Sequence, residues 1–290
     1  MAKRKLGMSI IVLIVAATTM VSGTYAWFLV GGFAELFDLG FDVIEAGGGI
    51  EIQGSAGHAH MGAEETETVE WGAYLQRDCF ADGELIAAEG SYSPVSSADG
   101  AAFTKVGLEG GYFASLTPEK GNDYNELTIK IRSTTTETVD GTMNIALTGR
   151  DGDNTAVEAA RVSVTYKGQT TVFAMQGDSA QAVVTNDLPA ATVKDSNNNS
   201  ILDSEDANFN GSYVSTQNIG GELTVSQADP NKYEATFALP QISGNTGSDE
   251  IVVRIWIEGN DADCTGEKLS AKHLSAKISF GSSSEEEPAA

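Results

Sequence analysis

The chain has 290 residues, 41 acidic and 17 basic side chains, and a formal net charge of −24 at pH 7. This charge argues against nucleic acid as a partner, because basic patches supply the affinity for phosphates, and against binding to an anionic membrane surface. It suits a soluble exterior or a calcium-rich one.

The N-terminus has the layout of an export signal. Three basic residues at 3–5 precede an uncharged, largely apolar run at 6–21, and small residues follow. We expect a signal peptidase to cleave between Ala26 and Trp27, which places the mature chain outside the cell or at its surface. The apolar run is nearly long enough to span a membrane, so residues 1–26 are interpreted as a signal peptide or as an uncleaved anchor. Membrane contact is expected only through this N-terminal segment.

Residues 27–50 form the most apolar stretch outside the leader. Polar residues alternate with Leu39, Phe41 and Val43, which predicts a strand with one buried face. Such a segment is a liability in water unless it is covered, and we interpret it as a donor strand for a neighbouring subunit. The residues assigned to polymerisation are Trp27, Phe28, Leu39, Phe41 and Val43. The helical spacing of its phenylalanines leaves a membrane-surface helix open as the alternative.

Histidine and cysteine offer few candidate sites. His58 and His60 would face the same side of a strand and form a two-ligand metal clip, for which no third ligand is evident. The alternative is a flexible loop, because glycines flank the pair. Cys79 and Cys264 could close a disulfide in an exported chain, or remain a free buried pair.

Residues 51–281 are predicted to form an all-β, jelly-roll-like antiparallel sandwich, since short Val-, Ile- and Thr-rich runs alternate with Gly, Asn and Asp clusters. The predicted strands are 125–132, 142–147 after a turn at Asp140–Gly141, a hairpin of 161–166 with 170–175, then 222–226, 233–239, 250–257 and 273–280. Short helical turns are predicted within 151–160 and 180–184. A polar insertion covers 176–216, and 282–290 is a solvated acidic tail.

The insertion contains a candidate calcium loop of twelve residues, from Asp195 to Asp206. Its oxygen ligands follow the EF-hand spacing, with Leu202 as the anchor to the core. The predicted ligands are Asp195, Asn197, Asn199, Ile201 through its carbonyl, Asp203 and Asp206. Ser200 stands where glycine usually makes the sharp turn, and no clear helix follows. The alternative is an Asn- and Asp-rich surface loop without an ion.

Motifs for catalysis are missing from the sequence. It contains no GxSxG, HExxH or GxxxxGK[ST] pattern, and carboxylate pairs arise by chance in so acidic a chain. We therefore expect no enzymatic activity.

Several short segments resemble one family. The leader end "SGTYAWF" is similar to that of the TasA/camelysin-like exported proteins of Gram-positive bacteria, and uncharacterised clostridial members share further pieces. These are "DVIEAGGGIEIQGS", "SYSPVSSADGAAF", "NELTIKIRST" and "VVRIWIEGNDADC". The resemblance implies a jelly-roll sandwich, cleavage near this leader end by a specialised signal peptidase, and polymerisation by donation of an N-terminal strand. Residues 28–39 depart from the family, because an apolar run replaces its short polar stretch.

The sequence thus predicts an exported structural subunit that assembles with itself into a cell-surface fibre or extracellular matrix. The first alternative is a membrane-tethered monomeric binding module, an adhesin or glycan binder, whose sugar face would use aromatic residues. These are Trp71, Tyr74, Tyr92 and Trp256, although Trp256 could equally pack in the core. A secreted hydrolase is the last alternative.

Overall fold

A computed structural model describes residues 38–41, 44–85, 93–149, 153–175, 182–189, 192–264, 269 and 272–282. The leader, Trp27, Phe28, Val43 and the acidic tail beyond Ser282 lie outside these ranges. Within them the chain is an all-β sandwich. Its strands are β1 (Asp38–Phe41), β2 (Ile44–Ala46), β3 (Ile50–Gly54), β4 (Ala59–His60), β5 (Thr68–Val69), β6 (Tyr74–Leu75), β7 (Lys105–Glu109), β8 (Tyr112–Leu116), β9 (Tyr124–Ser133), β10 (Val139–Gly149), β11 (Ala160–Tyr166), β12 (Gln169–Met175), β13 (Ala182–Val184), β14 (Val214–Thr216), β15 (Ile219–Val225), β16 (Lys232–Ile242), β17 (Asp249–Ile257) and β18 (His273–Ser282). One α-helical turn, α1 (Thr155–Glu158), and 3₁₀ turns at Arg77–Cys79 and Gly211–Tyr213 complete the described elements.

Fourteen of these strands form two sheets that share β15, and the other four form the separate pairs β7–β8 and β13–β14. The first runs β3-β9-β17-β11-β12-β15, and the second runs β15-β16-β10-β18-β2-β6-β4-β5, with β1 also beside β18. The first part of β15 pairs in parallel with β12, and its end pairs antiparallel with β16. The chain thereby passes from one sheet to the other within a single strand.

Alternating side chains build the core between the sheets. In β9, Leu127, Ile129 and Ile131 are fully buried while their neighbours face outward, as the sequence predicted. Met143 and Ile145 of β10 do the same from the opposite sheet. These residues belong to one continuous hydrophobic cluster, which explains why both sheets pack as a single unit.

The predicted hairpin of β11 and β12 is confirmed, with Tyr166 opposite Gln169. Its two-residue turn places Lys167 at φ 49° and Gly168 at φ 76°. Both positive angles are those of the hairpin turn that matches strand twist, and glycine accepts them readily. The helical turn predicted within 151–160 is confirmed as α1.

Two local predictions are wrong. Asp140–Gly141 is not a turn, because β10 runs through it with a register irregularity between Val139 and Gly141. The glycine serves close packing instead, since a Cβ there would lie 2.6 Å from Cδ1 of Ile242. The short helical turn predicted at 180–184 is also wrong for its described part, where β13 pairs antiparallel with β14. Its two adjacent valines favour a strand.

Part of the polar insertion joins the β7–β8 hairpin in a small lobe with its own core. That core comprises Phe113, Val184, Leu188, Val193 and Leu202. Main-chain bonds hold the hairpin to the insertion, including Phe113 N–H to Val193 O at 2.9 Å. The lobe is fixed to the sandwich by Asn260, which accepts from Leu202 N at 2.9 Å and donates to Ala182 O at 3.1 Å.

Candidate functional site

The N-terminal segment lies along the C-terminal strand of its own chain. β1 pairs in parallel with β18, so that Asp38 faces His273 and Phe41 faces Ala276. β2 continues along the same strand, with Ala46 opposite Phe280. Leu39 and Phe41 are thus in a strand, as predicted, and the edge that they cover belongs to the same subunit.

The twelve-residue loop adopts a wound conformation supported by its own side chains. Ser200 N–H donates to Asp195 Oδ2 at 3.1 Å, and Ile201 N–H donates to Asn199 Oδ1 at 2.8 Å. Ser200 has φ 63°, the left-handed conformation that glycine supplies at this position in EF-hand loops. Ser200 therefore makes the sharp turn although it is not glycine, at the cost of some backbone strain. Leu202 is buried in the lobe as the predicted anchor.

The loop's two terminal carboxylates are buried. Asp195 is 6% exposed and Asp206 is 5% exposed. Among the described residues, Asp195 Oδ1 has no hydrogen-bond partner although it is buried. Desolvation raises the pKa of Asp206, and the negative charges of Asp203 and Asp195 raise it further. Hydrogen bonds from the backbone N–H groups of Asp203 and Ser196 lower the pKa but do not offset the rise. Negative charge is therefore concentrated and under-compensated at the loop centre.

The histidine pair lies in a four-residue group. Its members are His58, His60, Asp78 and Cys79, whose potential ligand atoms all lie within 4.8 Å of one another. We call this group the histidine–cysteine cluster. His60 ends β4, which pairs with β6, and β6 leads directly into the 3₁₀ turn that carries Asp78 and Cys79. The flexible-loop interpretation of the pair is thereby weakened, since His60 is 1% exposed.

The pKa values of Asp78 and Cys79 are shifted in opposite directions. Desolvation opposes ionisation of Asp78, but hydrogen bonds from His60 and His58 outweigh it and lower the pKa of the carboxyl. Desolvation, with a smaller contribution from Asp78, raises the pKa of the Cys79 thiol to about 11. Cys79 and Cys264 are both free, buried thiols, which corresponds to the second of the two alternatives for this pair.

A second polar group is buried where β11 meets the chain after β17. Arg161 and Asp261 are both inaccessible to solvent and bond at 2.6 Å between Nη2 and Oδ2. Gln217 accepts from Arg161 Nε at 2.9 Å and donates to Glu258 Oε2 at 3.2 Å. Desolvation raises the pKa of Glu258 despite the nearby guanidinium and its hydrogen bonds. This network cross-links strands and has no access to a substrate.

The aromatic residues suggested for sugar binding do not form one exposed face. Trp256 is fully buried and packs edge-on against Phe103 at 5.2 Å, so its assignment to a sugar-binding surface is wrong. Trp71 and Tyr74 are partly buried, and Arg132 lies 4.1 Å above the Trp71 ring. Tyr92 lies outside the described residues.

Comparison of the chain with models of known protein families, with curated proteins and with solved structures finds no match in any of the three. The relation to the TasA/camelysin-like proteins therefore stays a prediction from the short segments quoted above. Within the described ranges, none of the helices has the length and apolarity needed to cross a membrane.

Proposed function

We propose that the protein is an exported structural subunit that polymerises by exchanging its N-terminal strand with a neighbouring copy. The observation that carries this proposal is the parallel pairing of β1 with the edge of β18. A strand that docks through main-chain bonds at a sheet edge can be supplied by any copy of the same chain.

The exchanged part is the chain before Ile44. β2 pairs with both β18 and β6, and Ile44 is 1% exposed in the main core. Among the described strands, β1 by contrast pairs with β18 alone. Releasing β1 therefore breaks one ladder of four residue pairs, whereas releasing β2 would also open the core.

Exchange would cost little at equilibrium because the same contacts form within a subunit and between subunits. An unpaired β18 edge would otherwise invite uncontrolled association. The residues before β1 form the most apolar part of the mature chain, so burying them against another subunit would further favour exchange. Together these features favour an ordered homopolymer over a monomeric adhesin.

Engineered cysteines test whether β1 docks on another subunit. Gly40 faces Ser275 in the ladder, so tagged Gly40→Cys chains are mixed with untagged Ser275→Cys chains under mild oxidation. Exchange predicts a disulfide-linked pair containing one chain of each kind. The matched control replaces Ser275→Cys by Thr224→Cys, an exposed position on β15 that β1 does not pair with.

Electron microscopy of a truncated protein supplies the second test. Deletion of residues 27–41 from a secreted form should leave a folded protein that makes no ordered fibres. The proposal fails if this protein still forms fibres, or if the mixed disulfide is no more abundant with Ser275→Cys than with Thr224→Cys.

We propose further that Ca²⁺ binds the loop from Asp195 to Asp206. Its support is the buried Asp195 oxygen without a partner among the described residues, in a loop where the charges of Asp195 and Asp203 also help to raise the pKa of Asp206. A hard divalent cation would satisfy that oxygen and neutralise the repulsion. Because Leu202 and Asn260 tie the loop to the lobe and sandwich, bound Ca²⁺ would stiffen this side of the subunit.

A further inference from the structure

The histidine–cysteine cluster places four ligand-type side chains around one point. Nε2 of His60 lies 3.1 Å from Asp78 Oδ2, and Nε2 of His58 lies 3.4 Å from the same oxygen. The Cys79 sulfur lies 3.9 Å from the other carboxylate oxygen. In a tetrahedral zinc site, bond lengths of about 2.0–2.3 Å set the ligand atoms roughly 3.3–3.6 Å apart. The three separations, 3.1, 3.4 and 3.9 Å, bracket that range, and all the ligand atoms lie within 4.8 Å of one another.

The second nitrogen of His60 is already occupied. Nδ1 of His60 lies 3.3 Å from the Glu67 carbonyl, a contact in which the nitrogen donates. Nε2 faces Asp78, where a bound metal ion would take the place of the proton that this nitrogen shares with the carboxylate. A carbonyl partner of this kind orients the ring and is the usual outer-shell arrangement of metal-binding histidine.

The backbone around the cluster is packed to bring its parts together. A Cβ on Gly54 would lie 2.1 Å from the Cys79 carbonyl oxygen, and one on Gly72 would lie 2.3 Å from the His60 carbonyl oxygen. Only glycine permits both approaches. Gln53 near the end of β3 stabilises the neighbouring backbone, because its side-chain amide donates to Gly57 O and Glu70 O at 3.2 and 2.9 Å.

Access and chemistry both suit a metal ion. The Asp78 side chain is 54% exposed and gives an entry path, while His60 and Cys79 are buried below it. Imidazole and thiolate ligands favour zinc and similar d-block ions over calcium or magnesium. Four protein ligands leave no open coordination position, which is typical of structural rather than catalytic zinc.

We infer that the histidine–cysteine cluster binds one divalent transition-metal ion, with Zn²⁺ as the physiological species. The ion clamps the end of β4 to the turn after β6, and so fastens the small β4–β5–β6 end of the second sheet. This site is separate from the calcium loop and from the exchanging strand.

Cobalt titration of the metal-free full-length protein tests the inference, with Ca²⁺ present throughout so that the acidic loop stays saturated. Wild type should bind one equivalent of Co²⁺ with tetrahedral visible bands and a thiolate-to-metal charge-transfer band, and Zn²⁺ should displace it. Cys79→Ser should lose the charge-transfer band, whereas the matched Cys264→Ser should keep it.

Variants at Asp78 and His58 should still fold, because both side chains reach solvent. Asp78→Asn and His58→Ala should each weaken Zn²⁺ binding at least about tenfold. The matched change Asp82→Asn, in the neighbouring exposed turn, should leave affinity within about twofold. The inference is overturned if wild type shows no saturable Zn²⁺ or Co²⁺ binding, or if the charge-transfer band survives in Cys79→Ser. Equal affinity of Asp78→Asn and wild type would overturn it as well.

Discussion

Wild type and Asp195→Asn should differ in opposite directions in calcium-free and calcium-loaded conditions, with the variant at least as stable without calcium and wild type more stable with it. Without metal, wild type holds a buried carboxylate oxygen that lacks a partner among the described residues, a defect of roughly 1–3 kcal/mol. The amide is neutral and can still accept from Ser200 N–H, so it relieves the charge repulsion at Asp206. The metal-free variant should therefore melt no lower than metal-free wild type.

Calcium should then stabilise wild type alone. A ligand at 100 times its Kd adds about 2.7 kcal/mol to the free energy of unfolding. At about 2–4 °C per kcal/mol for a chain of 150–250 residues, wild type should gain about 5–11 °C in Tm. Asp195→Asn should gain little, because it loses a charged ligand at the first position of the loop.

Thermal unfolding followed by circular dichroism measures both effects, with calcium as the one metal added back to metal-free protein. Asp229→Asn is the matched control, since Asp229 also accepts from a backbone N–H, that of Asn231, but lies in an exposed turn. It should respond to calcium as wild type does. A wild-type Tm that is the same with and without calcium would refute the reasoning, as would an equal gain in Asp195→Asn.

Three other predictions concern buried groups. Asp261→Ala should lower the free energy of unfolding by about 3–5 kcal/mol in urea denaturation, because it removes the buried carboxylate that pairs with the Arg161 guanidinium. A loss below about 1 kcal/mol would contradict this. Desolvation raises the pKa of Glu258, so its neutral form stabilises the fold below the ordinary glutamate pKa, and that contribution is lost as pH rises through the raised value. Wild type should therefore lose stability relative to Glu258→Gln over that window, and parallel pH curves would exclude the effect. Burial raises the pKa of both Cys79 and Cys264, so a thiol reagent should label neither residue in metal-free native protein. Both should be labelled after denaturation without reductant, whereas no labelling would reveal a disulfide.

The long strands could be predicted from the sequence because each has one buried face. Ile129 and Ile131 mark β9 by strict alternation, and Lys167–Gly168 marks the hairpin turn. The turn predicted at Gly141 is wrong for a physical reason. A glycine that avoids a clash between neighbouring strands cannot be distinguished, in the local sequence, from a glycine in a turn.

The calcium loop could be predicted from the sequence, whereas the complete histidine–cysteine cluster could not. The calcium loop is contiguous, so its spacing is visible in the sequence, and the structure adds the burial of Asp195. The partners of His60 are not contiguous with it. The pairing of β4 with β6 brings Asp78 and Cys79 to the histidines. No local sequence pattern predicts that pairing. The close glycines at 54 and 72 are the available signal, but they can be interpreted only once the strands are paired.

The parallel arrangement of β1 and β18 has a mechanical consequence. The start of β1 lies beside His273, whereas β18 ends at Ser282, so tension applied at Asp38 and Ser282 pulls the two strands lengthwise past each other. Their inter-strand bonds then bear the load together in shear, instead of opening one at a time like a zipper. Under shear, rupture requires several bonds to fail at once, and the rate of forced unfolding is correspondingly slow. If β1 comes from the next subunit, the same geometry makes every joint along the filament resist stretching along its axis.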